Sequence, residues 1–586
     1  MGRYVLISAP SETAAQALSA DLRHRCENAG WAVVELSAAA WLGLAGPHRP
    51  NRLTVGSWTL VGDVLHRRKP EFPPTERNDP WEYERKLMAR FWGRYVGVQL
   101  AADGQARSLL RDPSGALECV AWEQDGLLVV ASSVPDWLLA GLAIRWRPDH
   151  DRLGLAMRDP MSSADWLLMD GPITVAPGTV QPLPLASPAA AVWTPSDFAR
   201  RSLSPRWTLE EAIETLTTAV DDAVAGLAGL EGSLAAEVSG GLDSSTVAAS
   251  LVRRAEVPVA LWLNAYGATQ EADERVYVHA LGQTLGISPT FAPHATGSLT
   301  EALLEQISGD FRPGLNALDV HHDLEWARRV AGAGGSALMT GKGGDSIFLQ
   351  NASPDVFTDL WKADEWRALL SKDVARLAAR NEVSVWTMIQ RARRDTRHQG
   401  FSLLRDDTLL PSREEAPTLS HPWLAGSEAF GPAKTRQIAG VIDSVSRHGP
   451  SLLTETIDVR HPFCAQPVIE ACLAIPTALL TIGGRDRGLV RRAFADRLPA
   501  LIAERRSKGD MTRIYGRMVL SSLDVLRPWL LDGRLAASGL IDRARTEAAL
   551  TEEALMWKGQ SGAIIRAAAF EGWLRVWTRR FEALSR

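Results

Sequence analysis

Cysteine is scarce in this sequence, charge of one sign is not in excess, and long apolar runs are missing. The 586 residues contain four cysteines. These form no CxxC pair, which excludes a zinc knuckle or a disulfide framework. Lys plus Arg (64) nearly balance Asp plus Glu (69). The net charge of −5 therefore does not indicate a positively charged surface for nucleic acid. No segment suits a signal peptide or a membrane span. We therefore expect a cytoplasmic protein with no membrane span and no nucleic-acid partner.

The pattern of the chain changes near residue 200. Before it, short β-type runs alternate with Gly- and Pro-containing turns, which predicts antiparallel strands. After it, apolar strands alternate with helices, which predicts a parallel sheet, and beyond residue 350 nearly everything indicates helix. The clearest strands and helices are Tyr4–Ile7, Leu53–Val61, Tyr95–Leu100, Leu127–Ala131, Leu209–Leu227, Val257–Leu263, Val374–Ala392, Leu489–Ala495 and Glu552–Leu584. We predict an α/β protein, α+β overall. It should have an antiparallel β-rich domain at residues 1–200 and a helix-rich domain with a parallel sheet at residues 201–586.

A strand–loop–helix segment carries the clearest chemical motif. Its loop has the sequence SGGLDSS, in which two glycines let backbone N–H groups approach an anion and three hydroxyls add donors. Asp243 within this loop suits a Mg²⁺ ion that bridges phosphates. The GK[ST] ending of a Walker loop is missing. The predicted phosphate-binding residues are Ser239, Gly240, Gly241, Ser244 and Ser245.

This motif resembles the PP-loop of the N-type ATP pyrophosphatase superfamily, whose members cleave ATP to AMP and pyrophosphate. A second apolar run ends in GKGGD, and its Asp345 supplies a second oxygen ligand for the same Mg²⁺. The cofactors expected are therefore ATP and Mg²⁺. The wider set of predicted nucleotide-binding residues includes Leu263, Gly341, Gly343 and Gly344.

Four further motifs occur in the order found in the asparagine synthetase B family, which the sequence resembles over residues 205 to 520. They are Asp458-Val-Arg460-His-Pro462-Phe463, Arg487-Gly-Leu489-Val-Arg491-Arg492-Ala493, Leu498-Pro499-Ala-Leu-Ile502 and Lys508-Gly509. The resemblance implies that Asp243 and Asp345 hold Mg²⁺ and that Lys508 steadies negative charge during acyl transfer. Arg460, Arg487 and Arg491 are expected to neutralise charge on the phosphates.

Residues 53–140 look like the glutaminase domain of that family, of the Ntn type. A working glutaminase of this kind attacks glutamine with an N-terminal cysteine. Here position 2 is glycine, and the first cysteine, Cys26, lies in a probable helix. We therefore expect that this domain releases no ammonia and that the amine comes from the substrate or from a second molecule.

Relatives with this departure include β-lactam synthetases and lasso-peptide macrolactam synthetases. The former carry a Tyr three residues before the second magnesium Asp, as part of a Tyr–Glu pair that deprotonates the amine. Here Lys342 has that position, and Asp458 stands in place of the E-x-R Glu. Both departures argue against β-lactam closure and leave the general base unassigned. The residues expected at the catalytic centre are Lys508, Asp458, Arg460 and Lys342.

The resemblance favours a lasso cyclase, which adenylates an Asp or Glu side chain of a precursor peptide and joins it to the peptide's N-terminal amine. The partners implied are the core peptide, a leader-recognition protein and a leader peptidase. Two alternatives stay open. One is an amide ligase that uses ammonia or a small amine, as asparagine or β-lactam synthetases do. The other is a silent nucleotide-binding scaffold subunit.

Overall fold

The computed structural model describes residues 2–68, 70, 78–163, 165–204, 206–269, 272–394, 405–412, 421–446, 448–506 and 512–584. The expected class is confirmed: two antiparallel sheets lie in the N-terminal part, and one parallel sheet with many helices follows. Within the described ranges, no helix combines the length and the apolar character needed to cross a membrane.

The N-terminal part is a sandwich of two six-stranded antiparallel sheets, with a separate two-stranded ribbon. The first sheet has the order β12-β8-β9-β1-β3-β2, the second β14-β13-β7-β6-β5-β4, and the ribbon is β10-β11. Leu6 and Leu42 of the first sheet pack against Val96 and Leu109 of the second, so that the two sheets share an apolar core. The strands are β1 Arg3–Ser8, β2 Ala32–Ser37, β3 Ala40–Ala45, β4 Arg52–Val55, β5 Trp58–His66, β6 Phe91–Leu100, β7 Ala106–Arg111, β8 Val120–Gln124, β9 Leu127–Ala131, β10 Arg147–Pro148, β11 Met169–Asp170, β12 Ile173–Thr174, β13 Thr179–Pro182 and β14 Ala190–Ala191.

A five-stranded parallel sheet organises the C-terminal part. Its strands are β15 Leu234–Glu237, β16 Val259–Tyr266, β17 Pro289–Pro293, β18 Ala337–Met339 and β19 Asp458–Arg460. Their order is β17-β16-β15-β18-β19, and every neighbouring pair is parallel. The order reverses between β15 and β18. In sheets of this kind ligands bind outside the carboxyl ends of the strands at that reversal.

Helices surround both sheet systems. The α-helices are α1 Thr13–Asn28, α2 Glu82–Arg90, α3 Asp136–Gly141, α4 His150–Arg158, α5 Pro195–Ala199, α6 Leu209–Ala228, α7 Leu242–Arg254, α8 Arg275–Leu285, α9 Glu301–Gln306, α10 Val320–Gly332, α11 Gly344–Ile347, α12 Asp355–Asp364, α13 Lys372–Arg380, α14 Val385–Arg393, α15 Pro432–Ser446, α16 Gln466–Ala474, α17 Thr477–Leu480, α18 Gly488–Ala493, α19 Ala500–Ala503, α20 Thr512–Leu520, α21 Leu523–Leu531, α22 Arg534–Ala537, α23 Arg543–Ala549, α24 Glu552–Trp557 and α25 Ser561–Leu584. Short 3₁₀ turns lie at Pro160–Ser163, Arg200–Leu203, Glu365–Leu370, Pro422–Leu424, Ser427–Phe430, Pro462–Cys464 and Ile482–Gly484.

Helix α6 connects the two parts. It begins with a capping box, in which Thr208 Oγ1 accepts the Glu211 N–H at 3.2 Å and Glu211 Oε2 accepts the Thr208 N–H at 3.0 Å. Its buried face, with Leu216 and Val220, belongs to the same apolar cluster as Trp58 of β5. The antiparallel strands therefore share a core with the C-terminal part, and the boundary at 200/201 stays a prediction.

Three expected elements are each interrupted: Leu53–Val61, Val374–Ala392 and Glu552–Leu584. The first is a hairpin, β4–β5, which turns at Gly56. The second breaks before Ser384, whose hydroxyl caps α14 by accepting the Thr387 N–H at 3.0 Å. The third breaks at Gly559, which has a φ of +66°. In each case a local turn or cap overrides a continuous apolar pattern.

Candidate active site

A cleft of about 1270 Å³, open to solvent, lies at the point where the strand order reverses. The loops that follow β15 and β18 form its two walls. Nine of the residues predicted from the sequence line it: Ser239, Gly241, Asp243, Ser244, Gly341, Lys342, Asp345, Arg487 and Arg491. The fold therefore brings together residues as far apart in the sequence as Ser239 and Arg491.

The SGGLDSS loop is held closed by its own serines. Ser239 Oγ lies 2.9 Å from Ser244 Oγ, and Ser244 Oγ accepts the Ser239 N–H at 3.0 Å. The Gly241 N–H donates to Ser239 Oγ at 3.3 Å. Helix α7 begins directly after Gly241, so its N-terminus, where the first N–H groups have no acceptor within the helix, lies at the cleft. A thirteen-residue helix with this end at a cleft suits a phosphate group.

The loop after β18 approaches this helix so closely that it needs glycine. A Cβ atom on Gly341 would lie 2.5 Å from the backbone nitrogen of Ser244. A Cβ atom on Gly344 would lie 2.5 Å from Asp243 Cγ. Any larger residue would push the two walls apart. The glycines of the GKGGD motif thus bring Asp345 close to Asp243.

The two aspartates share one cationic partner. The Nη1 nitrogen of Arg487 lies 2.8 Å from Asp243 Oδ2 and 2.6 Å from Asp345 Oδ1. A single guanidinium nitrogen therefore contacts both carboxylates, so the two aspartates lie close enough together to bind one Mg²⁺ ion. Among the described residues no group of three or more His, Cys, Asp or Glu side chains could hold a metal. Two carboxylates are nevertheless enough for Mg²⁺, which takes its remaining ligands from phosphates and water.

Arginines add positive charge to the cleft wall. Arg491 Nη1 donates to the carbonyls of Ile502 and Ala503, at 3.2 and 2.8 Å. Burial and the neighbouring Arg487 lower the pKa of Arg491 to about 10, so it stays charged at neutral pH. Arg505, which sequence reasoning did not single out, lies at the same wall, with its guanidinium 3.8 Å above the Tyr277 ring.

Lys342 lies where the cleft meets a second cavity. Its Nζ donates to Asn316 Oδ1 at 3.1 Å, and Asn316 lines this second cavity between the sandwich and the C-terminal part, with a volume of about 1460 Å³ that includes space open to solvent. His461 and His448 line the same cavity with stacked rings. Burial, with the charge of Lys342, lowers the pKa of both histidines well below the ordinary value, so they are neutral.

Position 2 offers no space for a cysteine nucleophile. A Cβ atom on Gly2, which also lines the second cavity, would lie 2.2 Å from the His48 carbonyl oxygen and 2.4 Å from Pro50 Cδ. Cys26 is buried in α1, as the sequence indicates, and burial raises its pKa to about 12. Among the described residues that line the cavity, Cys464 carries a thiol, and burial raises its pKa to about 11. Both sulfurs are thus protonated and weakly nucleophilic at neutral pH.

Asp458 and Arg460 do not lie among the residues that line the cleft. Arg94 of β6 donates to both Asp458 oxygens, at 3.0 and 2.9 Å, and Arg460 Nε donates to Asp458 Oδ2 at 2.8 Å. Although burial opposes it, Arg94 and Arg460 hold the pKa of Asp458 well below its usual range. Arg460 is fully buried, and its other nitrogens donate to carbonyls at the end of α6, among them Leu227 O at 2.8 Å. These two residues join parts of the fold and are not among the residues that line the cleft, so their expected roles at the catalytic centre stay a prediction.

The remaining predicted residues occupy different places. Leu263 is buried in the core, where its carbonyl accepts the Val238 N–H at 2.9 Å. Ser245 is buried in the first turn of α7, and Gly240 and Gly343 are turn residues with positive φ. Lys508 lies outside the described residues, so its predicted role stays a prediction.

Four further residues at or beside the cleft were missed. Glu237 ends β15, two residues before the loop, and its position at a strand end could have indicated a site residue. Burial raises the pKa of its carboxyl. Tyr515 also lines the cleft and contacts Asp319, which lies beside His294. These three residues lie on separate segments with no shared motif.

Comparison with known proteins agrees with this geometry. The family model described as asparagine synthase matches residues 215–575, well over half of the chain. The matched region contains both cleft loops and all of the arginines described above at the cleft. No curated protein matches the chain at a significant level.

Proposed function

The chain belongs to the asparagine synthase family, whose members are ATP-dependent ligases, and on this premise we propose that it closes the macrolactam ring of a lasso peptide. In the first step the side-chain carboxylate of an Asp or Glu in the peptide attacks the α-phosphorus of ATP. This forms an acyl adenylate and releases pyrophosphate. In the second step the N-terminal amine attacks the acyl carbon, an isopeptide bond forms, and AMP leaves.

The observation that supports this proposal is the pairing of a cleft whose residues suit ATP with a closed position 2. The cleft brings together the serine loop, the α7 N-terminus and two aspartates on one cation. Gly2, which lines the second cavity, has no room for a nucleophilic side chain. An enzyme that adenylates a carboxylate without making ammonia must receive its amine from the substrate, and a peptide with a free N-terminus supplies one.

The residues of the cleft have separate tasks in this scheme. The serine loop and the α7 N-terminus bind the β- and γ-phosphates, which leave together as pyrophosphate. Asp243 and Asp345 would hold Mg²⁺, which withdraws electron density from the phosphates when it is bound. Arg491 and Arg505 keep positive charge at the wall where negative charge develops. The enzyme otherwise holds amine and acyl carbon within reach of each other.

Partner proteins complete the proposal. A core peptide must lose its leader before its amine is free, so a leader-recognition protein and a leader peptidase are expected in the same pathway.

A product assay tests the proposal. The enzyme is incubated with ATP, MgCl₂ and a leader-free core peptide that is encoded beside its gene. The expected products are AMP, pyrophosphate and a peptide that is lighter by one water. Asp243→Asn should lower AMP formation by about 1000-fold, while Asp222→Asn, on the exposed face of α6, should leave it unchanged.

Other outcomes would contradict the proposal. ADP as the nucleotide product would exclude adenylation. AMP formation with aspartate and ammonium, but not with peptide, would indicate a small-molecule amide ligase. ATP binding without pyrophosphate exchange under any condition would indicate a scaffold subunit.

A further inference from the structure

Three polar side chains form a chain that leads away from the ATP cleft. Tyr515 of α20 lines the cleft together with Asp243 and Lys342. Its hydroxyl donates to Asp319 Oδ2 at 3.2 Å, and His294 Nε2 lies 3.1 Å from the same oxygen. Asp319 precedes α10, and His294 directly follows β17. The phenol is thus the end of the chain that can touch a substrate.

The titratable groups around these three side chains carry little charge, so Asp319 is the main negative group among them. His322 stacks on His294 with the ring centroids 4.3 Å apart. Burial and His294 lower the pKa of His322 to about 4, so His322 is neutral at neutral pH. Burial raises the pKa of Asp323 to about 7 and also raises that of Glu237, the two other carboxyls near Tyr515.

Asp319 and Tyr515 are in complementary protonation states. Although burial opposes it, His294 and Tyr515 hold the pKa of Asp319 below its usual value, so it is an anion. Burial and Asp319 raise the pKa of Tyr515, so it keeps its proton. The pair can therefore accept a proton only if the phenol takes one from a substrate while it passes its own to Asp319.

The second step of the proposed reaction needs such an acceptor, whereas the first does not. A peptide α-amine has a pKa of about 7.7–8.0, so much of it is protonated at neutral pH. The nitrogen must lose protons before and during attack on the acyl carbon. Adenylation involves a carboxylate that is already ionised, and it requires no base.

We propose that Tyr515 is the catalytic group that takes the proton of the attacking amine and that Asp319 and His294 position it. This inference rests on the proposed function. As the nitrogen–carbon bond forms, the carbon–oxygen bond to AMP breaks and its electron pair leaves with the AMP phosphate. The nitrogen's proton passes to Tyr515 Oη while the phenol's own proton passes to Asp319 Oδ2. His294 holds that oxygen in place. The proton returns to solvent after the products are released.

Variants that remove this chain should separate the two half-reactions. Tyr515→Phe and Asp319→Asn are compared with Tyr83→Phe, a half-exposed tyrosine on α2, and with Asp222→Asn. Peptide-dependent exchange of pyrophosphate into ATP should stay within about twofold of wild type in all four. Ring closure should fall by about 100-fold or more in the first two alone.

Two further measurements distinguish a proton acceptor from a structural residue. Hydroxylamine is largely unprotonated at neutral pH, so it should capture the acyl adenylate as a hydroxamate at the wild-type rate in Tyr515→Phe. The defect in ring closure should also shrink as the pH rises past about 8, where the amine loses its proton without help. A misfolded cleft would show neither recovery.

The outcomes are distinct for the two proposals. If the wild-type enzyme shows no peptide-dependent exchange of pyrophosphate into ATP, the proposed function and the proposed proton transfer are both wrong. If exchange and ring closure fall together in Tyr515→Phe, or if neither falls, only the role of Tyr515 is wrong. A loss confined to Glu237→Gln, with Tyr515→Phe active, would move the role to Glu237.

Discussion

The guanidinium of Arg487 lies 2.6 Å from Asp345 and occupies the position that the sequence predicts for magnesium. Its second contact, to Asp243 at 2.8 Å, makes this one side chain the counter-charge of both carboxylates. Two carboxylates this close repel each other unless a cation lies between them. Arg487 and Mg²⁺ can therefore each reduce the repulsion between these two carboxylates.

Replacing Arg487 should make the stability of the fold depend on magnesium. Arg487→Met leaves the two carboxylates with no guanidinium between them, which should lower the free energy of unfolding by about 1–3 kcal/mol without metal. Adding MgCl₂ should restore most of this loss, while the wild type should respond less. Thermal unfolding with and without MgCl₂ measures both. Equal responses of the two proteins to MgCl₂ would contradict the inference that Arg487 and Mg²⁺ occupy the same position between the two aspartates.

Gly341→Ala should weaken ATP binding, because its Cβ would lie 2.5 Å from the Ser244 nitrogen and would push the two cleft loops apart. We expect at least a tenfold rise in Kd for ATP, measured by calorimetry. The matched control is Gly332→Ala in α10, where a Cβ meets nothing within 4 Å. That change should leave binding intact and raise stability by about 0.5–1 kcal/mol. Unaltered ATP affinity in Gly341→Ala would show that the loops can separate without cost.

Breaking the pair of Arg94 and Asp458 should destabilise the whole chain. Arg94→Met leaves a buried carboxylate without its main partner, and we expect a loss of about 3–5 kcal/mol in denaturant unfolding. The double variant Arg94→Met/Asp458→Leu should recover part of that loss. The control is Arg543→Met, which breaks an exposed pair with Asp532 and should cost less than about 1 kcal/mol. Similar losses in the two single variants would show that burial of the first pair is unimportant.

Acid should destabilise the protein through His421. Burial lowers its pKa to about 4, and its Nδ1 accepts the Trp423 N–H at 3.1 Å, which requires an unprotonated nitrogen. Because the unfolded histidine binds its proton near pH 6.5, stability from this group is present above pH 6.5. It is lost as the pH falls toward 4, by about 3 kcal/mol in total.

The variant His421→Asn tests this assignment, since asparagine keeps an acceptor for the Trp423 N–H without titrating. The slope of stability against pH between 6.5 and 4 should flatten in His421→Asn. It should stay unchanged in His24→Asn, an exposed position on α1. A slope that His421→Asn does not alter would assign the acid sensitivity to other groups.

Local motifs made much of the cleft predictable from the sequence. Contacts between residues far apart in the chain were not predictable in this way. The SGGLDSS loop with Asp243 is contiguous, and Asp345 follows a strand, so chemistry and position agree within a few residues. Asp458 also lies in a recognisable motif, yet its role depends on Arg94, 364 residues away, which no local pattern indicates. Tyr515, Asp319 and His294 meet only because α20, α10 and β17 fold together. The breaks at Ser384 and Gly559 were missed because caps and turns interrupt an apolar pattern that continues across them.

The reach of Arg94 also sets an order of events during synthesis. A ribosome adds about 5–20 residues per second, so Asp458 leaves it roughly 20–70 s after Arg94. During that interval the guanidinium has Asp63, which emerges earlier and accepts its Nε–H at 2.8 Å. The sandwich can therefore form with Arg94 already paired to Asp63, and Asp458 on the last strand of the parallel sheet adds a second carboxylate to the same guanidinium.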